Sequence, residues 1–140
     1  MQPFQKETGM IVINSGSSDT TVNNFVVIPS GKRLIIETIF GRCYFGTPNE
    51  VHMFEIGTTI KGSPEVRHML PQIMIATNAC LIFGSVRLYA DPKTAINLYI
   101  SRNVAAGDST CHISLSGHFV DWNTQPAEIL ASAFEFQRAE

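Results

Sequence analysis

Charge is scarce in this chain. Only 16% of its 140 residues are Asp, Glu, Lys or Arg, against about 25% in an average soluble domain. The net charge is −2, and Lys32-Arg33 is the only basic pair of note. That excludes the electrostatic footprint of a nucleic-acid binder. No run approaches the roughly 18 unbroken apolar residues of a membrane-spanning helix. The opening MQPFQKETGM lacks the cationic stretch and apolar run of a secretion signal, so the expected localisation is cytoplasmic by default. No glycine-rich loop stands between a strand and a helix, and no Walker sequence occurs, which argues against nucleotide chemistry. Cysteine is limited to Cys43, Cys80 and Cys111. An odd count without a secretion signal speaks against a disulfide framework. Cys80 and Cys111, beside apolar runs, are expected to be buried thiols.

What is present is hydrophobic: 44% of the chain, enough for one core in one domain of this length. A short chain with so little charge has an outside poor in charge as well. The simplest resolution is that part of it is buried against copies of itself, so a homo-oligomer is expected.

Short β-branched and aromatic runs, divided by Gly, Pro, Ser and Asn, mark the strands. They are GMIVIN (9–14), NNFVVI (23–28), LIIETIF (34–40), VHMFEI (51–56), VRHMLPQIMIA (66–76), CLIFGSVRLYA (80–90), TAINLYIS (94–101) and STCHISLSGHFVDW (109–122). LIIETIF is apolar on both alternating faces and reads as a central strand. Pro71 implies an edge or a bulge. The pattern predicts an all-β, single-domain β-sandwich of jelly-roll type with about eight to nine strands over residues 1–140. Residues 124–138 change character. Pro126, with Ile129, Leu130, Ala133 and Phe134 at helical spacing, predicts a short helix or an irregular tail there.

Within VRLYADPKTAINLYI, Asp91-Pro92 fits the start of a type I turn. Pairing Ala90 with Thr94 would set Leu88 opposite Ile96 and Val86 opposite Leu98. Arg87, Tyr89, Asn97 and Tyr99 would then share the outward face of a hairpin. Amphipathic rings beside hydrogen-bonding groups suit sugars and protein partners, so this row is a candidate ligand-binding site.

The densest chemistry lies in residues 109–122. In a strand, Cys111, Ile113, Leu115, Gly117 and Phe119 lie on one face, and Thr110, His112, Ser114, Ser116 and His118 on the other. Cys111 and His112 then point apart and form no nucleophile–base pair. His112 and His118 are roughly 20 Å apart at about 3.3 Å per residue, too far to share a metal. A bulge near Gly117 is the one device that would re-aim a side chain. Ser114 and Ser116 lie mid-strand, not on a hydrolase elbow. The row His112, Ser114, Ser116 and His118 is therefore a candidate surface or interface row. Glu37, inside an apolar run, must face outward or be paired, with Arg33, Arg42 or Arg87 as the available cations.

Gly46, five residues and then His52 resemble the opening of the first cupin motif. Phe54 stands where its second histidine belongs, and Glu55 comes too early. Pro29-Ser30-Gly31 resembles the core of the second motif, with Leu34 in place of its histidine. The resemblance implies a degenerate metal site at most. The residues favour a non-catalytic binding or structural module that self-assembles, with no cofactor, no metal and no catalytic residue assigned. A carbohydrate-binding lectin-like domain is the alternative, and a degenerate cupin-like metal enzyme the second. Carbohydrate or protein is the expected ligand; nucleic acid and membrane are not expected partners.

Overall fold

The computed structural model describes residues 2–122. The predicted helix or tail at 124–138 lies outside them. Ten strands make up the described residues. They are β1 (Gln2–Glu7), β2 (Ile11–Ile13), β3 (Asp19–Val27), β4 (Lys32–Tyr44), β5 (His52–Thr58), β6 (Val66–Met69), β7 (Gln72–Ala76), β8 (Ala79–Ala90), β9 (Ala95–Arg102) and β10 (Ser109–Asp121). One sheet has the order β1-β10-β4-β8-β7, with β2 also on β10; the other has β3-β9-β5-β6. All pairings are antiparallel. The chain crosses between sheets from β2 to β3, β3 to β4, β4 to β5, β6 to β7, β8 to β9 and β9 to β10. This wrapping gives the jelly roll anticipated from the sequence.

The core lies between the sheets because each strand turns its alternate apolar residues inward. Leu34, Ile36 and Ile39 of β4 meet Phe54 and Ile56 of β5, Ile82 of β8, Ile96, Leu98 and Ile100 of β9 and Ile113 of β10 in one buried cluster. β4 runs between β10 and β8 as a central strand. Its inward set changes from even to odd residues at Glu37. Opposite it, Ser116 faces Thr38 and Gly117 faces Ile36, so Glu37 is an extra residue in the ladder. A register shift does occur beside Gly117, but the extra residue belongs to β4, and the alternation of β10 continues through Phe119, so no side chain of β10 is re-aimed. Glu37 is exposed and bonds His118 Nδ1 rather than an arginine.

Pro71 falls between β6 and β7, which form outer strands of different sheets. The proline marks a crossing between sheets. The predicted hairpin needs correction. β8 and β9 lie in different sheets and do not pair, so Leu88 is not set opposite Ile96. Their connection is tight nonetheless. Thr94 N donates to Asp91 O at 3.2 Å, and Lys93 has φ 64°. A positive φ after Pro92 belongs to a type II turn, not the expected type I. The Asp91 carboxylate is buried and accepts from Arg33 Nε and from Lys61 N, both at 2.7 Å.

Candidate functional site

Two regions concentrate chemistry. The first is a polar cluster sealed inside one end of the sandwich. Arg102 follows Ile96, Leu98 and Ile100 in the inward series of β9, and His52 precedes Phe54 and Ile56 in that of β5; the two residues face each other across the β5–β9 pair. Ser109 opens the inward series of β10. Glu50 reaches in from the turn before β5. All four are buried.

A buried guanidinium requires partners for its donors. Arg102 Nη1 donates to Glu50 Oε1 at 3.1 Å and to Ser109 Oγ at 3.0 Å. Nη2 donates to Asn14 O at 3.1 Å and Ser17 O at 2.8 Å, and Nε to Ser17 O at 3.0 Å. Glu50 also accepts from Ser109 Oγ at 2.9 Å and Thr47 N at 3.0 Å, and lies 2.7 Å from His52 Nε2. Burial alone would raise the Glu50 carboxyl, but the bonds to His52 and Ser109 and the charge of Arg102 hold it below the ordinary carboxylate range. Burial lowers the His52 pKa, outweighing the opposite pull of Glu50. The other ring nitrogen, Nδ1, lies 3.2 Å from Cys43 Sγ.

Cys43 faces Cys111 across the β4–β10 pair, and Cys80 across the β4–β8 pair. The three cysteines therefore form a row across adjacent strands, all buried. Cys43 and Cys111 are joined as a disulfide, which corrects the expectation of a free thiol at Cys111. Alternation placed Cys111 inside correctly; its partner depended on which strand lies beside β10. Cys80 is a buried free thiol as expected, and burial pushes its pKa up to about 11.

The second region is the outer face of the β1-β10-β4-β8-β7 sheet. The row His112, Ser114, Ser116 and His118 lies there, on the strand between β1 and β4. Across it, Ser114 faces Phe40 and His112 faces Arg42. Phe40 and Phe83 face each other from β4 and β8 with ring centroids 6.4 Å apart, and their exposures are 44% and 51%. Tyr44, Ile73 and Ile75 are also exposed. A groove of about 420 Å³ runs between Glu7, Phe40, Arg42, Tyr44, His112 and Ser114.

The row Arg87, Tyr89, Asn97 and Tyr99 is not brought together. Arg87 and Tyr89 belong to β8 and Asn97 and Tyr99 to β9, in opposite sheets. The latter pair is engaged internally. Asn97 Nδ2 and Tyr99 Oη each donate to Glu65 at 2.6 Å, and Arg67 lies 3.6 Å from the centre of the Tyr99 ring. The Glu65 bond, followed by burial, raises the Tyr99 pKa. Arg33 sits 5.0 Å from the Tyr89 ring. Among the cupin-like positions, His52 meets cysteines and Glu50 rather than a second histidine. His68, of β6, lies 3.2 Å from Thr58 Oγ1.

Glu50, Arg102, Ser109 and Cys43 were not singled out from the sequence. One signal for them was available: Arg102 holds the inward parity of Ile96, Leu98 and Ile100, and a buried arginine requires a carboxylate.

No protein-family model and no curated protein matches the chain. Solved structures resemble it to differing degrees. One is a chain from the structure of infectious bursal disease virus, Gx strain, with 12% identity over 89% of this chain and 33% of that one and a TM-score of 0.56. This chain thus spans about a third of that length. Another is the C-terminal family 22 carbohydrate binding module of Clostridium thermocellum Xyn10B, with 5% identity over 78% of this chain and 72% of that one and a TM-score of 0.45. At 12% identity the likeness to the virus chain concerns the fold alone. The class defined is the two-sheet jelly-roll β-sandwich.

Proposed function

We propose that this chain is a non-catalytic structural module that assembles with copies of itself through the outer face of the β1-β10-β4-β8-β7 sheet. The observation that carries this reading is the pair of exposed phenylalanines, Phe40 and Phe83, at the middle of that face, on which Ile73 and Tyr44 are exposed as well. Burying a Phe side chain is worth about 1.5–3 kcal/mol, so a face with two of them gains substantially from being covered. The rows around them, Ser114, Ser116, His112 and Arg42, supply the polar rim of a protein interface. The scarcity of charge in the sequence supports the same reading, and the jelly-roll frame accommodates it.

Sedimentation velocity across a concentration series tests it. The native chain is expected to sediment above the monomer mass. Phe40→Glu with Phe83→Glu is expected to return it to monomer, while Met69→Glu, on β6 of the other sheet, leaves association unchanged. A native chain that stays monomeric at all concentrations overturns the proposal. The carbohydrate-binding alternative draws less support, because the Tyr99 ring and hydroxyl are already occupied by Arg67 and Glu65.

A further inference from the structure

The buried end of the sandwich combines the donor atoms of a metal centre. Cys43 Sγ, Cys111 Sγ and a His52 ring nitrogen lie within 4.8 Å of one another, all buried. A tetrahedral zinc site, with Zn–S of about 2.3 Å and Zn–N of about 2.0 Å, has ligand–ligand edges of roughly 3.5–3.8 Å. The 3.2 Å between His52 Nδ1 and Cys43 Sγ is close to such an edge. The histidine is also oriented as metal-binding histidines are. Its Nε2 faces the Glu50 carboxylate at 2.7 Å; with the proton held there, the lone pair of Nδ1 is directed at the sulfurs. Glu50 is fixed in turn by Arg102, Ser109 and Thr47. Charge balances as well: two thiolates neutralise a divalent cation, and Glu50 is already paired with Arg102, so no net charge is buried.

We propose that, once the Cys43–Cys111 bond is reduced, the two thiolates and His52 Nδ1 bind one zinc-type divalent cation. A dithiol reductant cleaves the S–S bond, supplying two electrons and two protons, and itself becomes a disulfide. The cation then displaces one proton from each thiol. Disulfide and metal are alternative ways of closing the same site. The cysteines come from β4 and β10 of one sheet and His52 from β5 of the other, so the disulfide ties two neighbouring strands whereas the cation would tie the two sheets. This ligand set, two sulfurs and one nitrogen, differs from the His and Glu set that the cupin-like spacing implied. It stands independently of the assembly proposal.

Titration of the dithiol-reduced, folded chain with Co²⁺, followed by competition with Zn²⁺, tests the site. One Co²⁺ per chain with thiolate-to-cobalt charge-transfer bands is expected, displaced by one Zn²⁺. The disulfide form is expected to give no bands. Cys111→Ser is expected to lose the bands and Cys80→Ser to keep them. Glu50→Gln, if it folds, is expected to weaken binding about 10- to 100-fold. Absence of the bands in reduced chain that retains its native circular dichroism overturns the proposal, and needs no variant. Bands that survive Cys111→Ser, or an unaltered spectrum in folded His52→Gln, overturn the ligand set.

Discussion

Gly117 has no side chain because the backbone of β4 occupies the space one would fill. A Cβ built there collides with the Ile35 carbonyl, beside the extra residue Glu37. Gly117→Ala must push two central strands apart, and a loss of about 1–3 kcal/mol is expected. It should appear as a lower urea midpoint at constant m-value. Arg102 shows the opposite situation, a side chain with every donor engaged. Arg102→Met leaves the Glu50 charge buried without its cation, and an expected loss of about 3–5 kcal/mol follows. Pairing it with Glu50→Gln should recover part of that loss, and a double-mutant cycle by urea unfolding measures how much. Neither feature was readable as such. Gly117 lay in an alternating stretch where any small residue would have fitted the pattern. The parity of Arg102 was visible, but nothing local named Glu50, which sits in a turn.

At the scale of elements, strand positions were legible because β-branched runs and their punctuation are local properties. β1 was missed: QPFQKE carries only Phe4 as an inward apolar residue, set edge to face against Phe119 with ring centroids 5.1 Å apart. Strand neighbours were not legible. Two apolar stripes joined by a tight turn fit a hairpin within one sheet, and they fit equally well two strands in opposite sheets that both turn their apolar residues into the core. VRLYADPKTAINLYI takes the second arrangement, and this separated Tyr89 from Tyr99. The turn itself carries a prediction. Lys93, at φ 64°, holds a conformation that costs a non-glycine residue about 1–2 kcal/mol. Lys93→Gly is expected to stabilise the fold by up to about 1 kcal/mol after glycine's own entropy cost, measurable as a raised thermal midpoint.

For the whole molecule, the Cys43–Cys111 bond spans 68 residues of sequence, and constraining an unfolded loop of that length is worth about 4 kcal/mol. Reduction without added metal should lower stability by an amount of that order, read from paired urea curves with and without dithiol. The proposed self-association through exposed phenylalanines should strengthen in sulfate, as sedimentation with and without that salt would show. The jelly-roll class was legible from the number and spacing of strands, but the ring of contacts was not. Gln2 pairs with Phe119 and Lys32 with Asp121, so β10 slots between β1 and β4, which are made long before it. While the chain is being synthesised, both must wait with open hydrogen-bonding edges until residue 121 has left the ribosome. At roughly 5–20 residues per second, that interval lasts seconds. Closure of this part of the sheet is therefore timed by the arrival of β10, and the nascent chain is most open to wrong pairing just before it.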